Sequence, residues 1–223
     1  MGAEPAPVLH RDDPARTPLA GHTKVTREDW LAQARTTLVQ DGVEQVKILV
    51  LAERMQVSRS SFYWYFRNRD ALLQALLEEW EARNTILIAE HCARPASTIT
   101  EAALNFFRCF VDPACFDHGL DFAVREWARR DERLRARIDA ADAARIAAVT
   151  EMFARHGYAP SDADARARIL YFMQLGYHAL DVREPIGTRL SRVAPYLRGF
   201  TGVEPEADAV ARFMADVDAM GLE

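Results

Sequence analysis

The stretch VSRSSFYWYFRNRDALL, residues 57–73, sets Phe62, Tyr63, Trp64, Tyr65 and Phe66 in five consecutive positions, after a serine- and arginine-bearing segment and before Arg67 and Arg69. A helix with a period of about 3.6 residues hides only about half of such a run, so some of the rings face outward. On a helix Phe62, Tyr65 and Phe66 share one side and Arg59, Ser60 and Tyr63 fall on another, with Trp64 near the boundary. The inward rings have a counterpart just upstream. Ile48, Leu51, Ala52 and Met55 stand at i, i+3, i+4 and i+7 and predict a short helix over about 46–55. The segment QVS interrupts it, and Ser58 is placed to cap the following helix, which is expected to run to about Phe66.

A short helix, a tight turn and a second short helix form the helix-turn-helix pattern. In that arrangement the N-terminal half of the second helix meets base edges in the major groove, while hydroxyls, cations and helix N-termini hold phosphates. Upstream, Thr26 followed by Glu28 and Asp29 reads as a helix start, with Trp30, Leu31, Ala34 and Leu38 as its apolar stripe, so a first helix is expected over about 26–40, with Gly42 closing it. Residues 1–23 carry four prolines and no hydrophobic period, the pattern of a flexible arm.

Downstream, Leu72, Leu73, Leu76, Leu77 and Trp80 predict a longer helix from Asp70 toward 90. Further helices are expected over about 97–111, 117–130, 132–156, 161–181, 186–199 and 205–220, with breaks at Pro113 and at His156-Gly157-Tyr158. No alternating stretch argues for a sheet. The fold class is all-α, divided into an arm (1–23), a helix-turn-helix head (24–70) and a larger helical domain (71–223).

Hydrophobic residues at 49% and charged residues at 27% are the mixture of an ordinary globular chain, and 223 residues can bury a core without disulfides or metal. Cys92, Cys109 and Cys115 form neither an even set nor a CxxC pair, which fits a reducing, cytoplasmic compartment. No apolar run reaches the roughly 18 residues of a membrane span. The net charge of −5 is unevenly placed. Lys24 to Arg69 holds eight basic residues against five acids, so a head at +3 sits on a remainder at −8.

Taken whole, VSRSSFYWYFRNRDALL resembles the signature of the tetracycline-repressor-like (TetR/AcrR) family of transcriptional regulators, and the resemblance covers about residues 26–80. It implies a homodimer that binds palindromic double-stranded operator DNA and responds to a small-molecule effector, most often as a repressor. Carried over, it makes Arg59 and Ser60 base readers, and Ser58, Ser61, Tyr63 and Arg69 contacts of the reading helix and its flank, chiefly to phosphate. Trp64 becomes a groove or sugar contact, and Thr26 and Lys47 phosphate contacts at the starts of the first two helices. It places the dimer contact on the helices near 161–181 and 186–199. Two positions depart from the family pattern. The second helix presents Leu49 and Val50 where polar residues are usual, and Gln56 stands where the turn commonly has glycine, at a cost of about 1–2 kcal/mol if its backbone is left-handed.

In the larger domain Phe107, Phe110, Phe122, Trp127, Phe153, Phe172 and His178 are the candidates for an effector pocket, with Cys109, Arg125 and Tyr171 as further polar groups. No HExxH, GxSxG, glycine-rich phosphate loop or Cys/His metal spacing is present, so neither an enzyme nor a cofactor is expected. The competing reading is a helical small-molecule-binding or sequestering protein without sequence-specific DNA binding.

Overall fold

The computed structural model describes residues 25–112, 114–180 and 182–221, so the expected arm at 1–23 lies outside the described residues. Helix α1 (Arg27–Asp41) opens on a capping box: Thr26 Oγ1 accepts from the Asp29 amide at 3.2 Å and the Asp29 carboxylate accepts from the Thr26 amide at 2.8 Å. It stops at Gly42, whose φ of 81° excludes most other residues and whose N–H returns to the Leu38 carbonyl. A single 3₁₀ turn (Val43–Gln45) leads into α2 (Ile48–Met55). Gln56 ends α2 with φ 57° and ψ 40°, the one non-glycine residue at positive φ among the described residues.

The segment after the turn is a 3₁₀ helix, Arg59–Trp64, rather than the expected α-helix. Its Ser61 and Tyr65 amides reach back three residues, to the carbonyls of Ser58 and Phe62. The segment is only six residues long, and 3₁₀ geometry is the form that short helical pieces commonly take.

Helix α3 (Arg69–Glu81), a π-helical turn (Ala82–Ile86) and α4 (Leu87–Ala93) follow with helical backbone throughout, so the element expected from Asp70 toward 90 runs to Ala93. The π-turn carries the buried Asn84, whose amide donates to the Asp117 carbonyl at 2.8 Å while its Oδ1 accepts from the Asp117 amide at 3.1 Å. The larger domain continues with α5 (Ile99–Val111), α6 (His118–Ala128), α7 (Glu132–Arg155) and α8 (Pro160–Ala179). The segment expected as one helix over 186–199 is two, α9 (Ile186–Leu190) and α10 (Val193–Thr201). Pro195 explains the break: inside a continuous helix it would remove a backbone bond and clash with the preceding turn, whereas three residues into α10 its missing N–H is not needed. Helix α11 (Ala207–Ala219) is the last, and no strand occurs among the described residues.

The head is not sealed off from the rest. Its core of Trp30, Leu38, Leu51, Phe62 and Phe66 is continuous through Leu76 and Trp80 with Leu120 and Val124 of α6 and Ile138 of α7. A second core joins α4, α5, α7 and α8 around Phe106, Phe116 and Phe153, and a third packs α11 on α5. Helices α7 and α8 form the most extensive helix pair in the molecule.

Candidate nucleic-acid interface

The head is built so that one edge must remain outside. Phe62 is fully buried against Trp30, edge to face with ring centroids 5.2 Å apart, and stacks on Phe66 at 5.5 Å. Tyr65 is half-buried and its hydroxyl donates to the Val25 carbonyl at 2.7 Å, tying the segment to the approach to α1. These anchors turn Tyr63 and Trp64 outward, 61% and 84% exposed. Arg59 and Ser60 are exposed beside them, and Lys47 stands exposed at the N-cap of α2.

Five of the expected residues have surroundings that the sequence did not indicate. Ser58 makes no side-chain cap; its Oγ lies 2.7 Å from Ser60 Oγ, so the two hydroxyls share a hydrogen bond. Ser61 is only half-exposed and donates to the Ser58 carbonyl at 2.7 Å. Thr26 donates its hydroxyl hydrogen to Asp29 at 2.9 Å, and the hydrogen bonds from Thr26 hold the Asp29 carboxyl below the usual carboxylate range, so an acid already occupies that helix start. Arg69 is committed within the fold: Nε donates to the Val46 carbonyl at 2.6 Å and Nη2 to that of Val43 at 2.7 Å, clamping the first turn of α3 to the approach to α2. Trp64, expected at the boundary, is the most outward of the rings.

The residues expected to line one effector pocket do not converge. Phe110 and Phe153 are buried core, with Phe110 packed between Phe106 and Phe116. Phe107 faces a small apolar pocket between α5, α8 and α10. Phe122 and Trp127 face a cleft between head and body, and Phe172 lies half-exposed on the outer face of α8. His178 is stacked on His118 with centroids 3.4 Å apart, beside Gln174 at 2.8 Å. Burial and the neighbouring imidazole push His178 down to about 3, so it sits neutral as a packing residue. Cys109 is buried, and burial pushes its thiol well above the ordinary value.

Arg125 and Tyr171 belong to a buried polar network that the sequence reading missed. Arg125 grips Asp142 through two bonds of 2.8 and 2.6 Å and Asp121 at 2.8 Å, and the Tyr171 hydroxyl donates to Asp142 at 2.6 Å. Arg145, fully buried, lies 3.1 Å from Asp121 and with its guanidinium over the Trp80 ring at 5.2 Å. Trp80 Nε1 donates to Asp121 at 2.7 Å, so the helix leading out of the head ends in this network. Burial opposes ionisation of Asp121, but Arg145 and Arg125 outweigh it and hold the carboxyl below its ordinary range. A signal was present in the sequence: Asp121 and Arg125 are four apart, and Asp142 and Arg145 three apart, on faces otherwise apolar.

Residues 31–76 match the family described as bacterial regulatory proteins, tetR family. That match spans the helix-turn-helix segment and the start of α3. Two curated relatives, both from Escherichia coli, resemble this region. The tetracycline repressor protein class A from transposon 1721 is 39% identical over 62 residues, which is 28% of this chain and 29% of the relative. The tetracycline repressor protein class E is 26% identical over 85 residues, 38% of this chain and 37% of the relative. The chain therefore spans about a third of the length of these relatives, and the family match lies at residues 31–76. Solved structures extend the likeness of fold over the body. Mycobacterium smegmatis AmtR aligns with a TM-score of 0.56 and 17% identity over 95% of this chain and 98% of that one. Salmonella enterica GusR aligns with a TM-score of 0.52 and 16% identity over 87% and 94%. The segment that matches the tetR family thus stands in a chain with the same helical architecture as these proteins.

Proposed function

We propose that the protein is a ligand-responsive transcriptional repressor that binds a palindromic operator as a homodimer. The observation that carries the reading is the solvent-facing edge of residues 59–64: Arg59, Ser60, Tyr63 and Trp64 project from a segment whose register is fixed by Phe62 and Phe66. Arg59 and Ser60 read base edges; Lys47 and Tyr63 hold phosphates; Trp64 lies against the sugar edge of the groove. Thr26, Ser58 and Ser61 contribute less, their hydroxyls being engaged locally, and Arg69 acts by shaping the head. Repression is carried over from the curated relatives, which are named as repressors. A cytoplasmic location goes with this reading, and among the described residues no helix is long and apolar enough to cross a membrane.

The surface of α8 supports pairing. Ala165, Ile169, Phe172, Gly176 and Ala179 follow one another at intervals of four and three along one outer stripe, the spacing of a helix-packing seam. Ile169 and Phe172 are more than half exposed in the single chain. A Cβ on Gly176, or on Gly199 of α10, would meet nothing within 4 Å, so nothing inside the protomer requires glycine at either place. Close approach of a second copy would. Two heads related by the resulting twofold axis would face one palindromic site.

Selection of bound duplexes from a random pool by the purified protein, followed by titration at rising salt, tests the reading. A palindrome and a steep fall of affinity with salt are expected, since phosphate contacts release counterions. Arg59→Ala should cost about 1–3 kcal/mol at particular base pairs, whereas Tyr63→Phe should weaken all sequences alike. Absence of any enriched sequence, with salt-independent retention of duplex, would favour the sequestering alternative, for which the half-exposed Leu49 on α2 is the supporting observation.

A further inference from the structure

All three cysteines of the chain meet in the second core. Cys92 on α4 and Cys109 on α5 are buried within it, while Cys115, in the turn between α5 and α6, packs against it and is partly exposed. The Phe116 amide donates to the Cys109 carbonyl at 3.1 Å, which lays the turn against the end of α5. The Cys109 thiol thereby comes within hydrogen-bonding reach of the Cys115 sulfur. Main chains joined in this way, with the sulfurs already adjacent, meet the demand of a disulfide for close Cα atoms and converging side chains.

His91 of α4 supplies a base. Its Nδ1 lies 2.9 Å from the Asn105 carbonyl, and a carbonyl only accepts, so Nδ1 carries the proton. Nε2 is therefore bare, and it faces the Cys115 sulfur at 3.8 Å. A thiol beside the lone pair of a ring that is oriented from its far side can give up its proton to that ring. Burial holds His91 below the ordinary imidazole range, so it is neutral near pH 7 and free to accept. Around the sulfur the influences oppose one another. Burial and Asp112, whose Oδ2 accepts from the thiol at 3.5 Å, hold Cys115 above the ordinary thiol value, and Arg94 acts against them. The resting group is thus a protonated thiol, which reacts only as a base removes its hydrogen. Cys92 is 2% exposed and burial pushes its thiol up to about 12, which leaves it outside this chemistry.

We propose that Cys115 and Cys109 form an oxidisable dithiol, which a hydroperoxide converts to a disulfide with His91 taking the Cys115 proton. The Cys115 sulfur attacks one oxygen of the hydroperoxide: an S–O bond forms, the O–O bond breaks, and the departing oxygen leaves with the proton from His91. The Cys109 sulfur then attacks the sulfenic acid at Cys115: the S–S bond forms, the S–O bond breaks, and hydroxide leaves with the Cys109 proton as water. The two sulfurs lose two electrons, which the cleaved O–O bond takes up. Exchange with a free thiol reverses the product, so in a reducing compartment the bond is transient. None of this depends on DNA or on the regulator reading.

The full-length protein, reduced and freed of reductant, is exposed to hydrogen peroxide, cleared with catalase, blocked with N-ethylmaleimide while denatured, and digested with trypsin. Cleavage after Arg108 and Arg125 puts Cys109 and Cys115 in one peptide, residues 109–125, and Cys92 in another. Mass spectrometry is expected to find peptide 109–125 lighter by two hydrogen atoms and without maleimide, Cys92 still labelled, and the change reversed by dithiothreitol. In Cys109→Ser, dimedone should trap the sulfenic acid at Cys115, which has lost its second sulfur. His91→Gln should slow disulfide formation by about tenfold or more near pH 7, a deficit that narrows toward about pH 9 as hydroxide replaces the imidazole. Maleimide on both cysteines of peptide 109–125 after millimolar peroxide, or a cross-link of Cys109 to Cys92 instead, would overturn the dithiol. An unchanged rate in His91→Gln, in a protein that melts as the parent does, would overturn the part given to the base.

Discussion

At the scale of single residues, the head shows how far composition and period reach. The five-ring run could be divided from the sequence because burial on a short helical turn is a matter of angle: Phe62 and Phe66 go in and Tyr63 stays out. The role of Arg69 was not legible, since its partners are two main-chain carbonyls brought near only by the fold. Gln56 is the opposite case, a strain announced by the missing glycine and present in the backbone at φ 57°. Replacing it relieves a contact between Cβ and its own carbonyl. Gln56→Gly is expected to stabilise the protein by about 1 kcal/mol, somewhat less than the left-handed penalty because glycine loses more freedom on folding. Urea unfolding of the two proteins checks this through a raised midpoint at unchanged slope.

Among the helices, existence was readable and their ends and breaks less so. Thr26 marked the start of α1 because an orphan N–H needs a nearby side-chain oxygen, but the division at Ser191 follows from Pro195 acting backwards along the chain. Contacts between elements were least legible, and the stacked pair of His118 on α6 and His178 on α8 is an example. Burial holds both imidazoles below their ordinary range. Phe110 and Phe116 cover the pair, Arg189 of α9 adds a repelling charge, and Asp117 and Asp121 of α6 attract too weakly to reverse the effect. A depressed folded-state value means that the unfolded chain binds more protons below about pH 6.5, so the contribution of the pair is complete above that pH and is lost as pH falls toward 3. The midpoint of thermal unfolding should therefore fall between pH 7 and about pH 5, before most carboxylates titrate. His178→Phe should flatten that fall; an unchanged slope in the variant would remove the pair as its cause.

For the whole molecule, the aromatic residues expected at one effector pocket are spread over several layers, because helical period says which residues face inward but not which layer they face. Phe110 and Phe153 entered the core, Phe122 and Trp127 the head–body cleft, and Phe172 the outside. That last placement bears on assembly. A seam of Ala165, Ile169, Phe172, Gly176 and Ala179 leaves two large apolar side chains in water, and covering each recovers about 1.5–3 kcal/mol per protomer. In the proposed homodimer a twofold axis would bring Phe172 against the same stripe of the second copy, so one substitution would act twice. Phe172→Glu, which sets like charges against each other there, is expected to convert a dimer into a monomer in sedimentation equilibrium while leaving the helical circular dichroism intact, because the side chain touches little inside its own chain. Gly176→Leu should do the same by bulk, since only a second copy could object to it. If both variants sediment as the parent does, this stripe is not a pairing face.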